Sequence, residues 1–210
     1  NRAALYSGKA LDFDGVNDKV DCGTLDITAY TGISVATYIN KSDTTTRIPF
    51  SLIHSGGDDI RITTDTNLKV TLDDGTAYDL STPIESNTWV FAVFTFDGST
   101  FKGYLNGIEF GSTAASFDFS TADGTLVIGE RATDGSLDFN GQISNTKIFN
   151  EALTAAQIAD LYNFPEKIVP TGVDNTALKL WLPMMEGAGT TAYDGSGNGN
   201  HGTIAGATYV

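Results

Sequence analysis

The residues with the clearest capacity for chemistry lie in one glycine-rich stretch, Asp194-Gly-Ser-Gly-Asn-Gly-Asn-His-Gly202. Asp194, Asn198 and Asn200 concentrate carboxylate, amide and backbone oxygens in a single turn. A calcium ion takes about six to eight hard oxygen ligands, which such a loop can offer. The same residue types also build turns without any ion, because Asn and Asp side chains bond backbone amides two residues on. A second oxygen-rich turn, with Asp14, Asn17 and Asp18, reads more simply as an acidic hairpin tip. His54, His201 and Cys22 show no zinc spacing. Cys22 has no partner for an internal disulfide and reads as a small buried apolar residue. The chain has neither a Gly-x-Ser-x-Gly elbow nor a phosphate loop.

These groups sit on a chain of 210 residues with a formal net charge of −14, built from 20 Asp and 6 Glu against 12 Lys plus Arg. Such a balance repels phosphate backbones and anionic membrane surfaces, so neither nucleic acid nor membrane insertion is expected. No apolar run approaches the roughly 18 residues of a spanning helix. Asp outnumbers Glu because Asp favours turns and caps, which points to a chain dense in turns. The first residue is Asn1, as in a processed product, an expressed fragment or part of something longer.

The elements that must hold these residues are strands. Turn signals recur at Asp14-Gly15, Gly56-Gly57, Asp74-Gly75, Asp97-Gly98, Asn106-Gly107, Asp123-Gly124 and Asp134-Gly135, with β-branched and aromatic runs between them. That rhythm predicts an all-β antiparallel two-sheet sandwich. Ile33, Val35, Thr37 and Ile39 share one face of an alternating strand, and Leu68, Val70 and Leu72 share another. Trp89 to Phe96 is apolar on both faces, which predicts a central strand covered on both sides. Asn106-Gly107, between two short strands, is a strong hairpin signal. Thr154 and Gln157 form a capping-box pattern, and Ile158, Leu161 and Tyr162 repeat at helical spacing up to Pro165. This predicts one short helix near 154–163, plugging an edge of the sandwich. Residues 164–177 read as a linker. A strand-like run, Leu178 to Leu182, then leads into the glycine-rich loop, and Thr203 to Val210 closes the chain as a strand.

Three stretches carry a resemblance. They are Ala10-Leu-Asp-Phe-Asp-Gly-Val-Asn-Asp-Lys-Val-Asp-Cys-Gly23, the run from Trp89 to Thr154 through Asn106-Gly107 and Gly141-Gln142-Ile143, and Leu178 to Gly202. Together they resemble the laminin-G-like jelly roll of the concanavalin A-like lectin/glucanase superfamily. The order is unusual, because the family's opening segment stands here at the C-terminus. Two arrangements follow. In the favoured one, residues 178–210 return across the 164–177 linker, which spans about 45 Å extended, and complete the sandwich begun by residues 1–163. In the other they complete a neighbouring copy by strand donation, giving a homo-oligomer or filament.

The resemblance also implies ligands. In similar family members the glycine-rich loop can bind Ca2+ together with an acidic pair on a late strand. The matching positions here are Ser144 and Asn145, so Asn145 joins Asp194, Asn198 and Asn200 as the candidate metal set without the two carboxylates. Glycan binding is the expectation that the fold carries. Trp89 and Trp181 read as core, which leaves Tyr30, Tyr38, Tyr78 and Tyr193 as sugar platforms. Glycosidase members place paired acids on one strand, whereas the six glutamates here are scattered, so an enzyme is not expected. The expected role is a non-catalytic surface module, extracellular or on a virion, acting in assembly or adhesion and binding glycans or neighbouring subunits. A calcium-dependent lectin-like domain is the alternative, and a glycoside hydrolase a remote one.

Overall fold

Successive side chains of a strand point to opposite faces, so a strand apolar at every position needs cover on both sides. The computed structural model of the chain, described here for residues 9–53, 59–121 and 123–210, shows how that cover is supplied. In chain order the strands are β1 (Leu11–Asp14), β2 (Lys19–Asp26), β3 (Ile33–Lys41), β4 (Arg47–Ile53), β5 (Asp59–Thr64) and β6 (Asn67–Asp73). They continue with β7 (Ala77–Pro83), β8 (Val90–Phe96), β9 (Thr100–Leu105), β10 (Ile108–Ala114), β11 (Asp123–Ile128) and β12 (Asn140–Phe149). Helix α1 (Ala155–Asn163) precedes β13 (Leu178–Leu182), β14 (Thr191–Ala192), β15 (Gly202–Ala205) and β16 (Thr208–Tyr209).

The strands form two antiparallel sheets, the jelly-roll sandwich read from the sequence. The first runs β10-β9-β8-β3-β12-β1-β16, with β13 also on β12, and the second runs β14-β15-β2-β11-β4-β5-β6-β7. Between them lies the main core. Val35 and Ile39 of β3 and Ala92, Phe94 and Phe96 of β8 meet Phe50, Leu52, Ile60, Ile62, Leu68, Val70 and Leu72 of the second sheet. A second apolar layer lies on the outer face of the first sheet. There Ala36, Tyr38, Phe91, Val93 and Phe149 pack against Leu153, Ile158 and Leu161, with Trp89 and Trp181 partly buried beside them. β8 is buried at every residue for this reason.

Two local signals take the expected form. Asn106 and Gly107 both adopt positive φ, at 53° and 81°, and Leu105 pairs with Ile108 across the tight turn. Thr154 Oγ1 accepts from the Gln157 amide at 3.3 Å while Gln157 Oε1 accepts from the Thr154 amide at 2.8 Å, closing the capping box. Two readings need correction. The helix covers a face of the first sheet rather than plugging an edge, because its stripe of Ile158 and Leu161 meets the outward side chains of β3 and β8. Asp123-Gly124 is no turn; it opens β11, opposite Asp26 and Leu25 of β2. The Gly56-Gly57 turn and His54 lie outside the described residues.

Residues 178–210 pair inside the chain. Leu180 and Leu182 of β13 lie opposite Ile148 and Thr146 of β12, Ile204 of β15 lies opposite Val20 of β2, and Tyr209 of β16 lies opposite Leu11 of β1. Ala10 and Val210 exchange backbone hydrogen bonds of 3.3 and 3.0 Å. Cys22 packs against the core, and burial pushes its thiol up to about 12, which leaves it unreactive.

The polypeptide between α1 and β13 closes over a buried amine. Lys147 of β12 is 3% exposed and donates to the Lys167 carbonyl at 2.6 Å. Burial lowers its pKa from 10.5 to about 7, against a smaller upward pull from Glu166.

Two outcomes test this packing. Leu180→Ala removes a fully buried core side chain from β13 and is expected to destabilise the protein by about 2–5 kcal/mol in denaturant unfolding. An unchanged midpoint would show that β13 is not part of the core. For Lys147, the unfolded chain binds the proton more tightly than the folded one, so stability rises with pH between about 7 and 10.5. Lys147→Met is therefore expected to raise the melting temperature at pH 6, with a gain that shrinks towards pH 10; a gain independent of pH would contradict the buried amine.

Candidate functional site

The glycine-rich loop closes on a buried carboxylate. Asp194 is 7% exposed. Its oxygens accept from the Trp181 amide at 2.9 Å, the Ser196 amide at 2.9 Å, the Ser196 hydroxyl at 2.8 Å and the Asn200 amide at 3.0 Å. Its own amide donates to His201 Nδ1 at 2.9 Å. Burial pushes the carboxyl up, but the bonds from Trp181, Ser196 and Asn200 outweigh it, and the net shift is downward. Asn198 Nδ2 donates to the Leu178 and Lys179 carbonyls at 2.9 and 3.2 Å, and Asn200 Nδ2 to the Lys179 carbonyl at 2.9 Å. The loop thus grips the backbone of β13.

Asn145 reaches the same strand from the other side. It sits at a register shift in β12 with φ of 52°, accepts from the Trp181 indole at 2.8 Å and donates to the Pro165 carbonyl at 3.2 Å. The four expected ligands therefore all touch β13 or its tryptophan, but they do not turn their oxygens on one point. Both oxygens of Asp194 are taken by four donors, and both loop asparagines present amide nitrogens to backbone carbonyls. Calcium needs about six to eight converging oxygens, and as folded this set does not fit it. Among the described residues, no group of three or more His, Cys, Asp or Glu could hold a metal. At the other acidic turn, the Asp14 amide donates to Asp18 at 2.7 Å and the Val16 amide to Asp14 at 2.7 Å, so it too is tied internally.

The tyrosines separate by burial. Tyr38 lies under the helix, stacked on Phe91 at 4.6 Å, and Tyr30 packs on Phe119 in the core. Tyr78 is partly buried against the same core. Tyr193 is exposed, edge-on to His201 at 5.4 Å. Both tryptophans pack on the second apolar layer.

Another polar concentration is on the outer face of the second sheet, where nothing in the sequence pointed. Ile60 and Ile62 of β5 face the core, so Asp59, Arg61 and Thr63 must face out. Lys69 does the same between Leu68 and Val70. The segment after β11 folds back over this face: the Ala132 amide donates to the Ser51 hydroxyl at 3.3 Å, and the Ile48 amide to the Leu137 carbonyl at 2.9 Å. The result is a cleft of about 140 Å³ lined by Thr46, Ile48, Arg61, Thr63, Lys69, Arg131 and Leu137. Beneath it Asp59, 3% exposed, is ion-paired with Arg61. Burial raises the Asp59 carboxyl, opposed by the charges of Arg61 and Arg131. The Thr63 hydroxyl and Arg131 Nε are buried with no hydrogen-bond partner among the described residues. The alternation Asp59-Ile-Arg-Ile-Thr63 shows that these side chains face out, but Arg131 arrives from a loop seventy residues away, and no spacing in the sequence announces it.

A family model described as the concanavalin A-like lectin/glucanases superfamily matches residues 14–159. Among solved structures, a putative carbohydrate binding protein from Bacteroides ovatus aligns over 96% of this chain and 59% of its own, at 21% identity and a TM-score of 0.69. Domain 4 of AbnA, a GH43 extracellular arabinanase from Geobacillus stearothermophilus in complex with arabinotriose, aligns over 74% of this chain and 77% of its own, at 24% identity and a TM-score of 0.63. The native heptameric SAP-like pentraxin of Limulus polyphemus aligns over 75% and 82%, at 19% identity and a TM-score of 0.60. At these identities the likeness is one of fold. No curated protein matches the sequence. With the family model spanning well over half of the sequence, and the sandwich it describes present in the structure, the chain belongs to the concanavalin A-like lectin/glucanases superfamily.

Proposed function

We propose that this chain is a non-catalytic glycan-binding module of an extracellular or virion surface, and that it binds through the outer face of its second sheet. The observation that carries the reading is the asymmetry of the two outer faces. The first is largely covered by α1 and an apolar layer, and the cleft left beside them, lined by Thr95, Asp97, Lys102, Tyr104 and Ala152 to Ala155, has one lysine and one aspartate. The second is crossed by the segment after β11, which leaves a cleft in which Ile48 and Leu137 lie beside three cations, Arg61, Lys69 and Arg131, and Thr63, with no carboxylate in the lining. Sugar sites need this mixture of apolar surface for the ring and fixed polar groups for the hydroxyls. Two proteins of similar fold support the reading: one is described as a putative carbohydrate binding protein, and the other was solved in complex with arabinotriose.

The rival readings have less behind them. Hydrolysis of a glycoside takes two carboxylates, about 5–10 Å apart, and no carboxylate lines the cleft. Growth by strand donation needs open partners for the tail, whereas β12, β2 and β1 are paired with β13, β15 and β16 of the same chain. Binding by this face needs no calcium.

Two measurements test the proposal. On a broad glycan array the purified chain is expected to bind a defined subset, and Thr46→Trp, which fills the mouth of the cleft from an exposed position, is expected to abolish that binding without changing the melting temperature. Absence of binding to any glycan, or binding indifferent to the tryptophan, would sink it. Removing calcium with a chelator is expected to leave both melting temperature and binding unchanged. A drop of several degrees, restored by calcium alone, would return the metal to the glycine-rich loop.

A further inference from the structure

Resting on the glycan-binding reading, we propose that the cleft on the second sheet is built for a sugar carboxylate, so that the ligand is an acidic glycan carrying uronic or sialic-type residues. The chain has a net charge of −14 and 12 Lys plus Arg, yet Arg61, Lys69 and Arg131 all line one cleft of about 140 Å³ without a carboxylate among the lining residues. The cleft is far below the roughly 300–1,000 Å³ of pockets that hold drug-sized ligands. It suits one charged edge of a terminal or exposed sugar.

The cations are held differently. Arg61 is anchored from below by Asp59, which is buried and ion-paired with it. Lys69 and Arg131 make long, half-exposed pairs with Asp79 at 3.6 Å and Asp134 at 4.0 Å. Exposed pairs of that kind contribute little and exchange readily. An incoming carboxylate can therefore take Lys69 and Arg131 without dismantling the fold, while Arg61 stays in place. Guanidinium groups match the planar carboxylate with paired donors.

The second observation is Thr63, a residue of the cleft lining that is 6% exposed and whose buried hydroxyl has no partner among the described residues. A buried polar group left unpaired costs stability. Arg131, whose Nε is also unpartnered among the described residues, lines the same cleft, so the site holds hydrogen-bonding capacity that the protein itself leaves unused. A site built from such groups rejects analogues that lack the matching partner. Leu137, 37% exposed, supplies the apolar contact for the ring, with Ile48 buried in the cleft lining.

The test uses the whole chain and a panel of galacturonate-, glucuronate- and N-acetylneuraminate-terminated oligosaccharides, each with its methyl ester, together with sulfated and neutral oligosaccharides, titrated by calorimetry. At least one acid is expected to bind ten-fold or more tightly than its ester, with affinity falling as salt rises. Arg131→Gln is expected to erase the difference between acid and ester. Thr63→Val is the sharper variant: it should hold or raise the melting temperature while weakening the acid several-fold. Acid and ester binding alike, a sulfated sugar binding as tightly as the acids, or neutral glycans alone binding in a manner blocked by Thr46→Trp would each overturn the carboxylate assignment and leave the glycan reading standing. Binding to no glycan at all overturns both.

Discussion

Burial of β3 and β8 on both faces is the constraint from which the rest follows. Phe91, Val93, Ala36 and Tyr38 point away from the main core, and apolar side chains on an outward face must be covered or left as a patch that invites association. Helix α1 and the polypeptide after it supply that cover. Ile158 and Leu161 seat the helix, Tyr162 stacks over Phe91 at 6.2 Å, and Lys167 is tied to the Asp160 carboxylate at 2.8 Å. The cover commits most of one side of the molecule to packing and leaves there a cleft beside the start of the helix, lined by Thr95, Lys102, Tyr104 and Leu153.

The tail is fixed by a second, smaller device. β13 takes a place on β12 that would otherwise be an open ladder, and open ladders recruit other chains. The buried carboxylate of Asp194 accepts one hydrogen bond from the Trp181 amide of β13 and three from Ser196 and Asn200 of its own loop, and Asn145 ties the Trp181 indole to β12. A carboxylate that accepts several amide bonds stays ionised more easily, which offsets the cost of burying it. The glycines between these contacts let the loop turn tightly enough for both ends to reach β13: Gly197 and Gly199 have φ of 88° and 81°, a conformation costly for other residues.

Much of this was legible because it depends on neighbours in sequence. An apolar run without alternation marks β8, Asn-Gly marks its hairpin, and Thr154 with Gln157 marks the helix start. Local pattern could not say what the helix stripe would cover, since edge and face demand the same Ile158 and Leu161. Nor could it separate an ion-binding loop from a hydrogen-bonded knot, because both use Asp, Asn and Gly in the same order. The difference lies in where the amide groups of Asn198 and Asn200 turn, and that is decided by carbonyls of Leu178 and Lys179 about twenty residues earlier. The cleft is least legible of all. Its outward residues on β5 and β6 look like any solvated face until the segment carrying Arg131 and Leu137 folds across them.

The charge of the chain opposes an acidic partner, but distance settles the matter. At physiological ionic strength the Debye length is about 8 Å, so carboxylates on remote turns contribute little at the cleft, and the field there is set by what lies within a few ångströms. Each cation has its own aspartate: Asp59 for Arg61, Asp79 for Lys69 and Asp134 for Arg131. A bare cluster of three cations would repel itself and capture any polyanion. Pairing avoids both. The pairs also differ in depth, for Asp59 is buried under Arg61 whereas Asp79 and Asp134 lie at the exposed rim. The deep pair fixes geometry, the rim pairs can be exchanged for a ligand's own carboxylate, and selection against other small anions falls to contact of the sugar ring with Leu137.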